Sequence, residues 1–372
     1  MKFIVLRTNL KEGLEKIERA TGDNSTLPIL KNCLIEDSDN KIILSATNLE
    51  IAITNSISCK IIEKGALTIP LNTFLSIINN LSEERITIES ENNNLIIKTS
   101  DYQAKIQGIN KEEFPIIPKI SNNQNFIEFP SVILKEAFES VIGSAQTSGS
   151  RPELNGVLLN YQNMFLKIVA TDSFRLSEKT LNSSFFKSNN QQEFKIIIPL
   201  KTILEVIRLI KDPNSKTFLY LDPNQILFKI DDSEIISRLI DGEFPDYQPI
   251  IPQNLDTEIT IKKDKLINAL KLASVFTDRL NEVKISVLDN LKTISVSSSS
   301  SSLGENEYLI PAKIKGQKVK IAFNWRFLLD GLKNIKSDDV FLGFNGENKP
   351  ALIKSPEDNS YFYIVMPLKI SG

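Results

Sequence analysis

The sequence predicts an α+β protein made of three copies of one unit, each with two helices packed on antiparallel sheets. Three observations predict it. A strand followed by an amphipathic helix opens the chain and recurs twice. Each opening leads into a β-hairpin that ends in a short polar cluster. Each copy then adds a second strand and helix, and closes on strands joined by Asn, Asp and Gly turns.

The first opening is the strand Phe3 to Leu6, with Asn9 three residues before Glu12 in the spacing of a capping box and Leu10, Leu14 and Ile17 on one helix face. The second is Phe126 to Phe129, with Ser131 as N-cap and Leu134, Phe138, Val141 and Ile142 at helical spacing. The third is Glu258 to Ile261, then Leu266, Ala269, Leu270 and Ala273. The polar clusters follow in LSATNLE at Leu44 to Glu50, VATDSFR at Val169 to Arg175 and VSSSS from Val296. Thr47 and Thr171 lie 124 residues apart, and in that register the serine run Ser297 to Ser302 ends a strand rather than forming a linker.

The second helices carry stripes at i, i+4 and i+7: Phe74, Ile78 and Leu81, then Ile203, Ile207 and Ile210, then Leu328, Leu332 and Ile335. Pro70 and Pro199 sit where a first helical turn tolerates a missing N–H. Turns at Asn92 to Asn94, Asp222-Pro223-Asn224 and Asn345-Gly346 join the closing strands. Two copies share an exit phrase, EFPIIP at Glu113 to Pro118 and EFPDYQPIIP at Glu243 to Pro252. Domains of 1–121, 122–252 and 253–372 follow, each with two helices and about eight strands.

Composition narrows function by exclusion. The 372 residues hold no histidine, which removes the commonest general base and nitrogen metal ligand. Cys33 and Cys59 form no CxxC pair and read as reduced thiols. Lys2, Arg7, Lys11 and Glu12 leave no apolar signal-peptide core, and no run reaches the roughly 18 apolar residues of a membrane helix. No Gly-rich phosphate loop, carboxylate-pair motif or nucleophile beside a base stands out, so catalysis is not expected and no cofactor is implied. The whole chain is −2, yet the six helical segments carry a net +6. Helices lining a hole would form a basic wall with an acidic exterior; the plain alternative is that Lys and Arg favour helices.

Repeats of this kind can join sheets edge to edge into an arc, and a head-to-tail contact closes an arc into a ring when its rotation divides the circle. The stretch Arg151 to Thr180 is the most distinctive. It reads as a hairpin of Gly156 to Tyr161 and Met164 to Ala170 about a Gln162-Asn163 turn, followed by the turn Thr171-Asp172-Ser173. Arg175 beyond it, flanked by Phe174 and Leu176, would on its own be a solvated edge charge.

RPELNGVLL, LKIVATDSFRL, DGEFPDY and the terminal YIVMPLKI, with MKFIV and TLPIL near the start, make the chain similar to the bacterial DNA polymerase III β subunit family, the sliding clamps. The likeness covers nearly the whole chain. It implies three domains of the DNA-clamp type, assembling head-to-tail as a homodimer into a six-domain ring around double-stranded DNA. It implies a cytoplasmic, nucleoid-associated processivity factor loaded by a clamp loader. Partners would be the polymerase III α subunit, other polymerases and repair proteins carrying short linear motifs with Leu, Phe and Gln side chains.

By that resemblance a partner groove would be formed by Arg151, Leu154, Thr171, Ser173, Phe174, Arg175, Leu176, Pro245, Ile250, Asn324, Phe327, Pro350, Ile364, Val365, Met366, Pro367 and Leu368. Lys201 and Arg208 match basic positions facing the hole. Ala104 and Ile106, with Val275 and Phe276, map to the dimer edges. The chain departs from the pattern at Ser173-Phe174, where Gly-His is frequent, at Asn24-Ser25, where a basic residue is common, and in its Ser371-Gly372 tail. A repeat-built nuclease and a monomeric clamp-like interaction protein are the competing readings.

Overall fold

A computed structural model describes residues 1–22, 27–120 and 124–369; Asn24, Ser25, Thr26, the junction at 121–122 and the Ser371-Gly372 tail lie outside the described residues. One element order occurs three times. The first copy runs β1 (Lys2–Leu6), α1 (Arg7–Ile17), β2 (Asn32–Ser38), β3 (Lys41–Thr47), β4 (Ile51–Ser58), β5 (Lys60–Glu63), β6 (Ala66–Pro70), α2 (Leu71–Asn80), β7 (Arg85–Glu91), β8 (Asn94–Lys98) and β9 (Gln103–Gln107). The second runs β10 (Ile127–Pro130), α3 (Ser131–Ile142), β11 (Gly156–Gln162), β12 (Phe165–Thr171), β13 (Arg175–Asn182), β14 (Lys187–Ser188), β15 (Phe194–Pro199), α4 (Leu200–Leu209), β16 (Lys216–Asp222), β17 (Gln225–Ile230) and β18 (Ser233–Arg238). The third runs β19 (Thr257–Lys262), α5 (Lys263–Ala273), β20 (Glu282–Val287), β21 (Thr293–Ser300), β22 (Gly304–Pro311), β23 (Lys313–Gly316), β24 (Lys320–Asn324), α6 (Trp325–Lys333), β25 (Asp339–Phe344), β26 (Ala351–Lys354) and β27 (Tyr361–Val365). Among the described residues each copy has nine strands, where about eight were expected; β5, β14 and β23 are short and exposed, and carry no apolar pattern to announce them.

The two larger sheets are assembled by the same rule. The last strand of a closing meander pairs antiparallel with the third strand of the preceding copy's hairpin series. β18 meets β4 in the nine-stranded sheet β14-β10-β16-β17-β18-β4-β3-β2-β6, and β27 meets β13 in the nine-stranded sheet β15-β11-β12-β13-β27-β26-β25-β19-β23. What is left is a five-stranded sheet, β5-β1-β7-β8-β9, and a four-stranded one, β22-β21-β20-β24. Because two sheets draw strands from two copies each, compactness follows the sheets. Met1–Lys135, Phe185–Gln191 and Lys201–Leu239 form one unit, and Glu136–Ser184, Gln192–Leu200 with the described residues from Ile240 onward form the other. The division falls within the middle copy.

The helices bury most of the stripes the sequence shows, while Leu81, Ile142 and Ile207 are only half-buried. α1 packs Leu10, Leu14 and Ile17 inward, and Gly13 lets it lie so close that a Cβ there would stand 2.9 Å from Ile57 and Leu44 side chains. Its cap differs from expectation. The helix begins at Arg7, so Asn9 lies inside it, and the free N-terminal amides of Arg7 and Thr8 are taken by the carbonyl and carboxylate of Glu84, at 2.7 and 3.1 Å. Pro70 and Pro199 are the last strand residues, one position before the first helical turn, paired with Asn32 and Gly156. Ser131 is the first residue of α3; its hydroxyl lies 2.8 Å from that of Thr217. The β11–β12 turn is Asn163-Met164, since Gln162 still pairs with Phe165.

Candidate functional site

The turn after β12 is built by short side chains that replace missing backbone partners. Thr171 Oγ1 donates to the Arg175 carbonyl at 2.7 Å and accepts from Ser173 N, while Asp172 Oδ1 accepts from the amides of Phe174 and Arg175, both at 2.9 Å. The turn after β3 makes the same four bonds with Thr47 and Asn48. Both turns place their third residue in the left-handed region, Leu49 at φ 76° and Ser173 at φ 76°. The result pushes Phe174 outward, 62% exposed.

Arg175 is not a solvated edge. Its Nε donates to Asp172 at 2.9 Å, its Nη1 to Asp330 of α6 at 2.6 Å, and its guanidinium lies 4.4 Å from the Phe327 ring centroid. Two carboxylates and an aromatic face leave it as a post holding β13 to α6. Opposite, β27 pairs Arg175 with Val365 and Leu176 with Ile364, and beyond the ladder Met366 N donates to the Phe174 carbonyl at 2.8 Å. Leu368 N then reaches the Ala322 carbonyl of β24 at 2.8 Å. Gly331 makes room on α6 for Tyr363, whose ring a Cβ would meet at 2.5 Å. Asn324 caps α6 by accepting from Arg326 N at 3.0 Å.

The structure thus joins Thr171, Ser173, Phe174, Arg175, Phe327, Val365 and Met366 directly, and Pro350 lies beside Ala351, which pairs with Val365. The expected lining residues lie at different depths. Leu154, Thr171, Leu176, Ile364 and Val365 are buried, and Leu176 and Ile364 pack with Leu158, Val169, Ile197, Leu352, Phe244 and Tyr247 as core. The resemblance alone placed Leu176 in the groove wall. What solvent reaches is Ser173, Phe174 and Ile250, with Pro245, Asn324, Phe327, Pro350, Met366, Pro367 and Leu368 half-buried. Arg151 is exposed but paired with Glu153 at 2.8 Å.

The edge strands β9 and β22 matter equally. Ala104 and Ile106 lie on β9, a free edge, though Ile106 itself turns inward and is 5% exposed. β22 is an edge of the four-stranded sheet, flanked by Val275, 61% exposed, and by half-buried Phe276, whose Cε1 would lie 3.9 Å from a Cβ on Gly304. Leu309 on β22 and Leu280 nearby in sequence to β20 are also exposed. Sequence reading missed the β22 side chains, although the repeat register carried the signal.

Comparison with known proteins bears on the whole chain. Residues 1–118, 128–246 and 248–369 match the family descriptions DNA polymerase III beta subunit, N-terminal, central and C-terminal domain. The beta sliding clamp of Chlamydia pneumoniae is 30% identical over 376 residues, covering 100% of this chain and 99% of that one. The chain belongs to the DNA polymerase III β subunit family, the sliding clamps. The Bacillus subtilis beta sliding clamp is 27% identical over 381 residues, covering 99% of this chain and 100% of its own. The crystal structure of the DNA polymerase sliding clamp from Bacillus subtilis superposes with a TM-score of 0.94 at 27% identity over 99% of each chain. The Pseudomonas aeruginosa subunit gives 0.93 at 23% identity, over 100% of each, a likeness of fold. The chain is accordingly a DNA polymerase sliding clamp, a processivity factor and a non-catalytic accessory subunit.

The two cations expected to face DNA differ in their surroundings. Lys201 is exposed on α4. Arg208 is half-buried, its Nη1 and Nη2 donating to the Glu15 and Lys16 carbonyls at 2.9 and 2.5 Å and its Nε to Glu205 at 2.6 Å. It closes the C-terminal turn of α1, where unsatisfied carbonyls attract a cation. Among the described residues no helix is long and apolar enough to cross a membrane. Burial pushes the Cys33 thiol up to about 12 and that of Cys59 to about 11.

Proposed function

We propose that two copies of this chain join head-to-tail into a six-domain ring around duplex DNA, with domains of 1–121, 122–252 and 253–372. One observation carries this reading. The five- and four-stranded sheets end in β9 and β22, the same two strand types that pair as β18 with β4 and β27 with β13. Pairing β9 of one copy with β22 of a second would complete a further nine-stranded sheet by the rule already used twice, and would cover two edges that otherwise invite association. Two such contacts close the dimer. The ring would hold DNA by enclosure, with Lys201 and the helical basic excess giving weak, sequence-independent phosphate contacts that do not obstruct sliding. Such a protein would act at the nucleoid and need a loader to open it. The test is retention on nicked circular plasmid in high salt, lost on linearisation; equal loss from circle and linear DNA would contradict enclosure.

The exposed rim about Phe174, Met366, Pro367 and Ile250, over the buried floor of Leu176 and Ile364, is the partner groove of this reading. It suits a short apolar motif of the Gln-Leu-x-Leu-Phe type, offered by the polymerase α subunit, the loader and other polymerase or repair partners. Met366 supplies a surface that repacks. Because Leu176 is core, truncating it would confound binding with stability. Phe174→Ala with Met366→Ala is the appropriate pair. Binding of such a pentapeptide, read by calorimetry, should weaken about tenfold or more in that variant at unchanged thermal stability; unchanged affinity would place the groove elsewhere.

A further inference from the structure

The first and second copies build the same outer sheet face and fill it differently. Leu34, Ser45, Ala52 and Thr54 stand 124 residues before Leu158, Val169, Leu176 and Glu178. The ladders agree with that offset: Ser45 pairs with Thr54 and Ala52 with Ile236, as Val169 pairs with Glu178 and Leu176 with Ile364. In the later set the face is closed. Phe244 and Tyr247 of the exit phrase sit on Leu158, Val169 and Leu176, both rings buried, and the Tyr247 hydroxyl donates to Glu178 at 2.5 Å.

In the earlier set the same positions are smaller or shorter, Ser for Val, Ala for Leu and Thr for Glu. The exit phrase is also four residues shorter. It keeps Phe114 for Phe244 but has no counterpart of Tyr247, and Ile116 stands 95% exposed. The outcome is a cavity of about 730 Å³ over the β2, β3, β4, β17 and β18 face, under residues 111–120. That volume lies within the range of small-ligand sites. Its floor and walls include Ile43, Ile117, Ile236 and the ring of Tyr220, and its polar floor is the hydroxyl pair of Ser45 and Thr54, 3.2 Å apart. At the rim Lys111 and Lys119 form no ion pair among the described residues, nor do Glu36 and Glu112, so the rim matches a segment of mixed charge and disfavours a strongly acidic or basic one.

We propose that this cavity is a second partner site, which takes a tyrosine side chain from an extended segment of another protein. The occupant follows from the chain's own repeat: a phenol ring fills the equivalent space once, and here the ring is missing while the hydroxyl-bearing floor is present. This site is independent of the groove near Phe174.

The test uses the full-length protein with labelled isoleucine δ methyls and two probes, p-cresol and acetyl-Asp-Tyr-Gln-Pro-Ile-amide, which copies residues 246–250. Both should give saturable NMR shifts at Ile43, Ile117 and Ile236. Ser45→Val and Ala52→Leu each install the residue that fills the second copy, and each should weaken binding about tenfold or more. Ser45→Val is the smaller change and decides the matter if Ala52→Leu does not fold. The proposal is overturned by absence of shifts at millimolar probe, by unchanged affinity in folded Ser45→Val, or by shifts confined to Ile250 and Ile364. Binding of cresol without the peptide would also overturn it, as the mark of a small-molecule cavity.

Discussion

Ser173 holds φ at 76°, a conformation that costs a residue with a Cβ roughly 1 kcal/mol and glycine almost nothing. It is kept there by Thr171 and Asp172, whose side chains take three amides around it. Glycine releases the strain but enlarges the freedom of the unfolded chain, which offsets part of the gain. Ser173→Gly should therefore raise stability by about 0.5 kcal/mol, seen as a higher urea midpoint at unchanged slope. It should leave the Arg175 cluster intact, because Ser173 contributes only its backbone to it. A lower midpoint would mean that the serine hydroxyl, and not the turn alone, holds Phe174 outward.

At the scale of elements, α4 separates two uses of a positive charge. Arg208→Ala would strip the Glu15 and Lys16 carbonyls of their donors and leave Glu205, 7% exposed, without its 2.6 Å ion pair. A loss of about 1–3 kcal/mol is expected in chemical denaturation. Lys201→Ala should change stability by less than about 0.5 kcal/mol while lowering the salt slope of DNA binding by about 1. A stable Arg208→Ala with a reduced slope would reverse these roles. The distinction was not legible in the sequence, which shows Lys201 and Arg208 on α4 alike. Glu15 and Lys16 lie more than 190 positions away, as Asp330 lies 155 from Arg175 and Glu84 lies 76 from Thr8. What was legible is periodic: the stripes of α1 and α4, the strand-ending serine run and the shared offset of Thr47 and Thr171 all recur within one window. Long-range ion pairs and helix caps have no period, so no single window of sequence shows them.

Across the whole molecule the proposed assembly follows from the two smaller sheets. Every closing strand but β9 has found a hairpin strand to pair with, and every third hairpin strand but β22 has been found. An unpaired strand edge of five or eight residues exposes a row of amides and carbonyls that a partner strand would satisfy at little entropic cost. Phe276 sits beside the start of β22, half-buried in the single chain, so burying the rest of its ring across a dimer contact contributes at most about 2 kcal/mol. A charge in its place would instead be desolvated beside an apolar patch that includes Val275, 61% exposed. Phe276→Asp should therefore sediment as a 41.9 kDa monomer at micromolar concentration, with secondary structure unchanged, where the proposed dimer of the parent chain should sediment at twice that mass. The same variant should lose salt-resistant retention on circular DNA, because enclosure needs both contacts closed. A Phe276→Asp protein that still sediments as a dimer would show that β22 is not the edge that meets β9.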